Sequence, residues 1–308
     1  MRRTYKDLKK PEMLQSFVCY ADILGYSKLS KDAIKSGRGQ EFLDRLYRAL
    51  TSAYDRIKKR SVGWKNYIYF EVKVFTDNIV IGYPVDDYAW NLGEPELGDI
   101  LDFFSEFQAM LSIEGFLVRG GIAFGGHYMD KDIVFGEALL DAVDQDKNGG
   151  PPRISLTSPT IDSVKCQLGF YGGVIENSPH FIDLLEDADG TIFINYLGQA
   201  FSAFPDNIFF DLIEGHQKTI TEGLQRYKGV SDIRAKYEWA ARYHNFICKE
   251  FANECSSYNP DTADDEFIAA CSEAQNLLKY LIDIESLAAS PSRIKLKAIR
   301  LERKQTEK

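Results

Sequence analysis

Apolar residues crowd residues 16–23, SFVCYADI, and predict a first strand that ends at a turn around Gly25. Beyond it Phe42, Leu46, Ala49, Leu50, Ala53 and Ile57 recur near helical spacing, which predicts a helix over about 38–60. Residues 66–83 hold two aromatic and β-branched runs, YIYFEVKVF and NIVIGY, parted by Thr76, Asp77 and Asn78. That interruption reads as a tight hairpin turn or the end of one strand, with Asp77 exposed at the joint. Proline and glycine punctuate 84–98, and helical spacing resumes over 99–113 through Ile100, Phe103, Phe104, Phe107, Met110 and Leu111.

A third β unit begins near Phe116. Its run FLVRGGIAFGG sets Arg119 among apolar residues and glycines, which permit close approach of backbone to a ligand or a neighbouring strand. DIVFGEALLDAVDQDK follows as a short strand entering a helix at Gly136, and residues 148–152 form a strong breaker. RISLTSPTIDSVKC then reads as strand and short helix, with further strand candidates at 169–178 and 191–196. From about 208 the pattern turns helical, over 208–226, 230–254 and 264–289, with the acidic linker SSYNPDTADD between the last two. The expected architecture is therefore α/β or α+β over 1–200, with additional strands, and a helical extension over 201–308 packed on it. No internal repeat or sustained heptad is present.

The 308 residues suffice for a large core. Five scattered cysteines, Cys19, Cys166, Cys248, Cys255 and Cys271, form no C-x-x-C pair, so structural zinc is not expected and a reducing compartment fits. The basic opening MRRTYKDLKKPE has no apolar signal core behind it, and no run approaches the roughly 20 apolar residues that span a bilayer. A cytoplasmic protein without a membrane partner is the expectation. A net charge of −9 argues against a broad nucleic-acid surface. Lys58, Lys59 and Arg60, and the basic tail from Arg293, read as solvated surface.

The sharpest chemistry lies in two carboxylates, Asp22 and Asp77, each within a short apolar run. On neighbouring strands the pair would present hard oxygen ligands to a divalent cation. Plain structural roles stay open: a cap on the turn for Asp22, an Asx turn for Asp77, a salt bridge for Arg119, and pairing with Glu71 for Lys73. His127, His180, His216 and His244 are too dispersed to name a metal site, and Trp64 and Tyr67–Tyr69 read as strand packing. No G-x-x-x-x-G-K-[ST] phosphate loop is present.

The pattern F-x-x-x-x-D-I-x-G-Y at Phe17–Tyr26, the hairpin VKVFTDNI, and the segments RGGIAFG and FGEAL resemble class III nucleotidyl cyclases over roughly residues 15–160. The similarity is greatest to the bacterial pyrimidine cyclases of anti-phage signalling. It implies a ferredoxin-like core with a mainly antiparallel sheet. It also implies Mn²⁺ or Mg²⁺, two per site, on Asp22, Asp77 and the backbone carbonyl of Ile23. Leu24, Gly25 and Tyr26 would face phosphate, Lys73 would select the base with Asp132 beside the second base-recognition position, and Arg119 or Arg153 would supply the cation for developing charge. The substrate implied is a nucleoside triphosphate, UTP before CTP, cyclised by a homodimer with composite sites. In that family an asparagine and an arginine follow the glycine matched by Gly136; here Leu140 and Asp144 stand there. A nucleotide sensor without turnover, and an assembly module built on the helical half, are the competing readings.

Overall fold

The computed structural model describes residues 4–61, 70–85, 91–147, 150–201, 208–256, 275–284 and 288–299. Strand β1 (Leu14–Ile23) buries both faces. Phe17, Cys19, Ala21 and Ile23 enter the main apolar cluster, and Leu14 and Val18 enter a smaller one on the other side. Burial on both sides explains the near-continuous apolar run. Gly25, at φ 73°, takes the left-handed turn that releases the chain into α1 (Tyr26–Lys35), and α2 (Gly39–Ser61) follows. The hairpin of β2 (Glu71–Phe75) and β3 (Asn78–Pro84) pairs Phe75 with Asn78, so Thr76 and Asp77 alone make the turn. Thr76 accepts a left-handed φ of 54° there. Helix α3 (Glu94–Ile113) leads into β4 (Val118–Met129).

These four strands lie in the order β2-β3-β1-β4, each antiparallel to its neighbour. With the intervening helices this is the β-α-β-β-α-β connectivity of ferredoxin-like folds. The sheet then continues. β5 (Val134–Gly136) pairs antiparallel with β4, α4 (Glu137–Lys147) crosses back, and β6 (Ile154–Leu156) lies parallel to β4. After α5 (Ser158–Gln167) and α6 (His180–Asp183), β7 (Leu184–Glu186), β8 (Ile192–Ile194) and β9 (Ser292–Arg293) extend it in the order β6-β8-β7-β9. Among the described residues the parallel β4–β6 pairing makes the sheet mixed and the remaining ladders are antiparallel.

Helices α7 (Tyr196–Phe201), α8 (Ile208–Arg226) and α9 (Ser231–Ser256) follow β8. Helix α3 touches α2, α7 and α8 on one side of the sheet, and α4 covers β4 and β1 on the other. Leu212, Ile213 and Ile220 of α8, and Trp239 and Tyr243 of α9, belong to the same cluster as Phe17 and Phe104. Gly121 lets α4 close on the sheet, since a Cβ there would meet the Ala142 carbonyl oxygen at 2.4 Å. No helix among the described residues is long and apolar enough to cross a membrane.

Two expectations are corrected. Residues 169–178 form no strand. They make 3₁₀ turns at Leu168–Tyr171 and Ile175–Asn177 because Gly172 and Gly173, at φ 67° and 79°, break the extended path between their apolar flanks. The helix expected over 264–289 is also not found where it can be judged: residues 264–274 lie outside the described residues, Gln275–Tyr280 is 3₁₀, and 281–284 carry no helix. Helix α1 and strand β7 had no forecast; α1 hides behind its polar spacing and β7 is only three residues long.

Candidate functional site

The register sets two cross-strand rows on one face of the sheet. The first runs Lys73, Val80, Tyr20 and Gly121; the second, two residues along each strand, runs Phe75, Asn78, Asp22 and Arg119. Because side chains repeat every second residue, Lys73, Tyr20, Asn78, Asp22 and Arg119 share a face. It is the face that α4 covers, chiefly over β4 and β1. Asp77, in the turn before Asn78, sits at the end of the second row. The sheet thus brings Asp22, Asp77 and Arg119 together.

Arg119 Nε donates to Asp22 Oδ1 at 3.1 Å and Nη2 to Oδ2 at 3.5 Å, an interstrand ion pair that is largely shielded from solvent. Burial pushes the Asp22 carboxyl above the ordinary aspartate range. Arg119 opposes that rise, the Asp77 charge adds to it, and Lys236 of α9 offsets it. Asp77 and Lys236 are therefore near enough for Asp22 to sense both. Asp77 Oδ1 accepts the Thr76 hydroxyl at 2.7 Å, and Tyr20 donates its hydroxyl to Asn78 Oδ1. The Asp77 charge disfavours ionisation of Asp22, and hard carboxylate oxygens so placed suit a divalent cation, which would offset that repulsion. Among the described residues no group of three or more His, Cys, Asp or Glu is poised for a metal, so the pair would rely on backbone and ligand oxygens for the rest.

Leu24 donates its amide to Leu117 O at 2.8 Å, fixing the exit of β1. The Gly25 carbonyl accepts the amides of Lys28 and Leu29, each at 3.0 Å, and no side chain caps the start of α1. Tyr26 packs its ring on Phe42. Lys73 does not pair with Glu71, which Lys6 holds at 2.8 Å; its charge is felt by Asp130 beyond β4. Asp132 lies in the exposed turn between β4 and β5, past the end of β4 opposite to Arg119, with Lys131 at 3.6 Å. Within one chain Asp132 is thus not part of the Asp22 cluster.

Arg153 is nearly buried against two carboxylates, bonding Asp187 and, at 2.7 Å, Asp189. Burial works to raise the Asp189 carboxyl, yet Arg153 and Thr191 hold it down to about 2. Trp239 of α9 donates Nε1–H to Asp187 at 2.6 Å, tying this wall to the helical extension. A cleft of about 280 Å³ beside Arg119 is bounded by Gln145, Arg153, Ser155 and Asp189. A second, of about 360 Å³, shares Arg153 and Asp189 and adds Lys236 and Trp239. Leu140 and Asp144 are exposed on α4 and bring no cation.

Sequence reading passed over Tyr20, Asn78 and Lys236. The first two carry a signal, since Tyr20 is two residues before Asp22 and Asn78 directly follows Asp77. Lys236 has none, because only the packing of α9 brings it near. Trp64 and Tyr67–Tyr69 lie outside the described residues, as do the side chains of Lys58, Lys59 and Arg60. The histidines expected to be dispersed partly meet, for His216 Nδ1 and His244 Nδ1 are 3.0 Å apart.

No known family profile and no curated protein matches the chain. Among solved structures it is similar to a class III adenylyl cyclase-like ATP-binding protein from Pseudomonas aeruginosa, at 12% identity and a TM-score of 0.37. The match covers 53% of this chain and spans 39% of the length of that protein.

Proposed function

We propose that the protein is a pyrimidine nucleotide cyclase that converts UTP into 3′,5′-cyclic UMP and diphosphate, as a second messenger in antiviral (anti-phage) defence. The observation that carries this reading is the pairing of Asp22 with Asp77 at one end of the ferredoxin-like sheet, close enough that the charge of one raises the pKa of the other. The class resemblance of the sequence supplies the reaction, and UTP is favoured over CTP on the same ground.

In cyclisation the ribose 3′-oxygen bonds to the α-phosphorus, the bond to the bridging oxygen breaks, diphosphate leaves, and the hydroxyl proton passes to solvent. Asp22, Asp77 and the Ile23 carbonyl would hold Mn²⁺ or Mg²⁺, which when bound neutralise triphosphate oxygens and acidify the 3′-hydroxyl. The chain does the orienting. The uncapped start of α1, after Leu24 and Gly25, offers amide donors to phosphate. Arg119, which the strand register sets beside Asp22, would offer its two-pronged donors to the charge that develops on phosphate. Because attack is intramolecular, orientation matters more than a protein nucleophile.

Lys73 and Asp132 are assigned to the base in a homodimer, each from the subunit facing the Asp22 site. Exposed Ile133, Phe135 and Leu140, on the β4–β5 hairpin and α4, supply an apolar surface for a second copy. Arg153, already held by Asp187 and Asp189, is assigned to the wall of the site and not to direct phosphate contact.

Incubating the purified protein with each of the four triphosphates and Mn²⁺ or Mg²⁺, with product mass as the readout, tests this. Cyclic UMP should form, and Asp22→Asn and Asp77→Asn should each cut turnover by at least about 100-fold. Retained turnover in either variant rejects the metal pair. The exposed Leu140 and Asp144 on α4 favour a second reading, a sensor that binds nucleotide without turning it over. Metal-dependent binding by calorimetry with no cyclic product from any triphosphate would select it.

A further inference from the structure

A cleft of about 220 Å³ opens between α1, α2 and the end of α8, on the side of the sheet opposite the Asp22 row. Three arginines line it from three separate places: Arg38 where α1 meets α2, Arg45 within α2, and Arg226 as the last residue of α8. Its floor is apolar, from Leu29, Phe42 and Tyr227. Asp32 and Glu41 share the rim, so three guanidinium groups face two carboxylates in a chain whose net charge is −9.

Arg45 is the informative member. Its guanidinium carbon lies 5.1 Å from the centre of the Phe116 ring, which holds the plane of the fork in place. Its Nε–H is buried and meets no acceptor. Its donors are thus not used up within the chain, and an oxyanion in the cleft would engage the outer nitrogens of the fork. Arg38 is steadied by its Nε–H bond to Ser36 Oγ at 3.2 Å, and Phe42 N–H donates to the Arg38 carbonyl at 3.0 Å, which anchors this residue at the start of α2.

From this arrangement we infer that the cleft is a binding site for a phosphoryl anion with several oxygens, of the diphosphate kind, separate from the Asp22 cluster. Three guanidinium groups lining one cleft match an anion with oxygens on several sides, where a single carboxylate would engage one. A nucleobase is not what the cleft reads. One face of Tyr227 stacks on Tyr237 at 5.7 Å between ring centres, and Lys28 Nζ stands 5.3 Å over the ring. Lys28 adds a fourth cation at the margin.

Titration calorimetry of the full chain with inorganic diphosphate, in buffer with a chelator and no divalent metal, tests the site. One diphosphate per chain is expected, with affinity falling as salt rises. Arg38→Ala and Arg226→Ala, both exposed and safe for folding, should each weaken binding about tenfold, the worth of a charge-assisted contact. Asp22→Asn should leave it unchanged. Absence of saturable binding, or binding equal in the arginine variants, overturns the inference. Loss of binding in Asp22→Asn places the anion at the other site and overturns it as well. Citrate binding as tightly as diphosphate overturns the phosphoryl assignment.

Discussion

Asp22 carries two opposed influences in one side chain. Burial and the Asp77 charge favour its protonated form, while the Arg119 fork favours the carboxylate. Arg119→Gln removes the opposing influence, so the Asp22 carboxyl should titrate still higher. A carbon-detected NMR titration of the metal-free protein reads this, and an unchanged or lower value refutes the coupling. The sequence announced Asp22 and Asp77 because charge inside an apolar run is conspicuous. It left the role of Arg119 open between ligand contact and salt bridge, and in the fold Arg119 makes the salt bridge to Asp22. It offered Arg153 as a cation for phosphate and showed nothing of its partners, because Asp187 and Asp189 lie more than thirty positions on and only the order β6-β8-β7 brings them beside it.

At the scale of elements, the glycines around Arg119 turn out to serve packing. Gly121 sits directly under α4, and a methyl there would stand 2.4 Å from the Ala142 carbonyl oxygen and 2.7 Å from Gln145 Cβ. Gly121→Ala must lift α4 or bend β4, and is expected to cost about 1–3 kcal/mol as overpacking. Chemical denaturation measures it; a change within error would mean that α4 rides on the sheet with slack. β1 and the β2–β3 hairpin were legible as near-continuous apolar and β-branched runs, and α2, α3, α8 and α9 by apolar spacing near 3.6 residues. Residues 169–178 misled because two apolar clusters flanked a glycine pair, and composition alone does not reveal that both glycines turn left-handed. The far β7 and β9 pairings escaped because strands of two or three residues have no period to read.

Across the whole molecule, all four histidines are buried. Burial lowers His127, His180 and His244 to about 4, and burial with the His244 charge lowers His216. Two of them meet in one chain of bonds. His244 Nε2–H donates to the Tyr280 carbonyl at 2.9 Å, which leaves His244 Nδ1 to accept from His216 Nδ1–H, and Tyr196 donates its hydroxyl to His216 Nε2 at 2.7 Å. That pattern needs both rings neutral. A folded value below the unfolded one near 6.5 means stability is complete above that pH and is lost as pH falls toward about 4. Each such histidine contributes up to about 3 kcal/mol at neutral pH. Asp22, raised in the fold, runs the other way within the carboxylate range: its contribution is greatest when protonated and is lost as pH rises through its folded value. Denaturation midpoints measured from pH 7 to pH 4 should therefore drop steeply, and a flat profile would contradict the neutral, buried histidines.

The apolar cluster that runs unbroken from Phe17 and Phe104 to Ile213, Trp239 and Tyr243 has one more consequence. Among the described residues one cluster joins the sheet to α8 and α9, even though the sequence changes character near residue 200. A fragment ending there would leave Phe193 and Tyr196 without their covering rings, and it should be recovered as aggregate or as a collapsed chain without a cooperative melt. A sharp melt from residues 1–200 would show the two halves to be separable. If they are not, the helical half is as much a part of the scaffold beneath Asp22 as the strand that bears it.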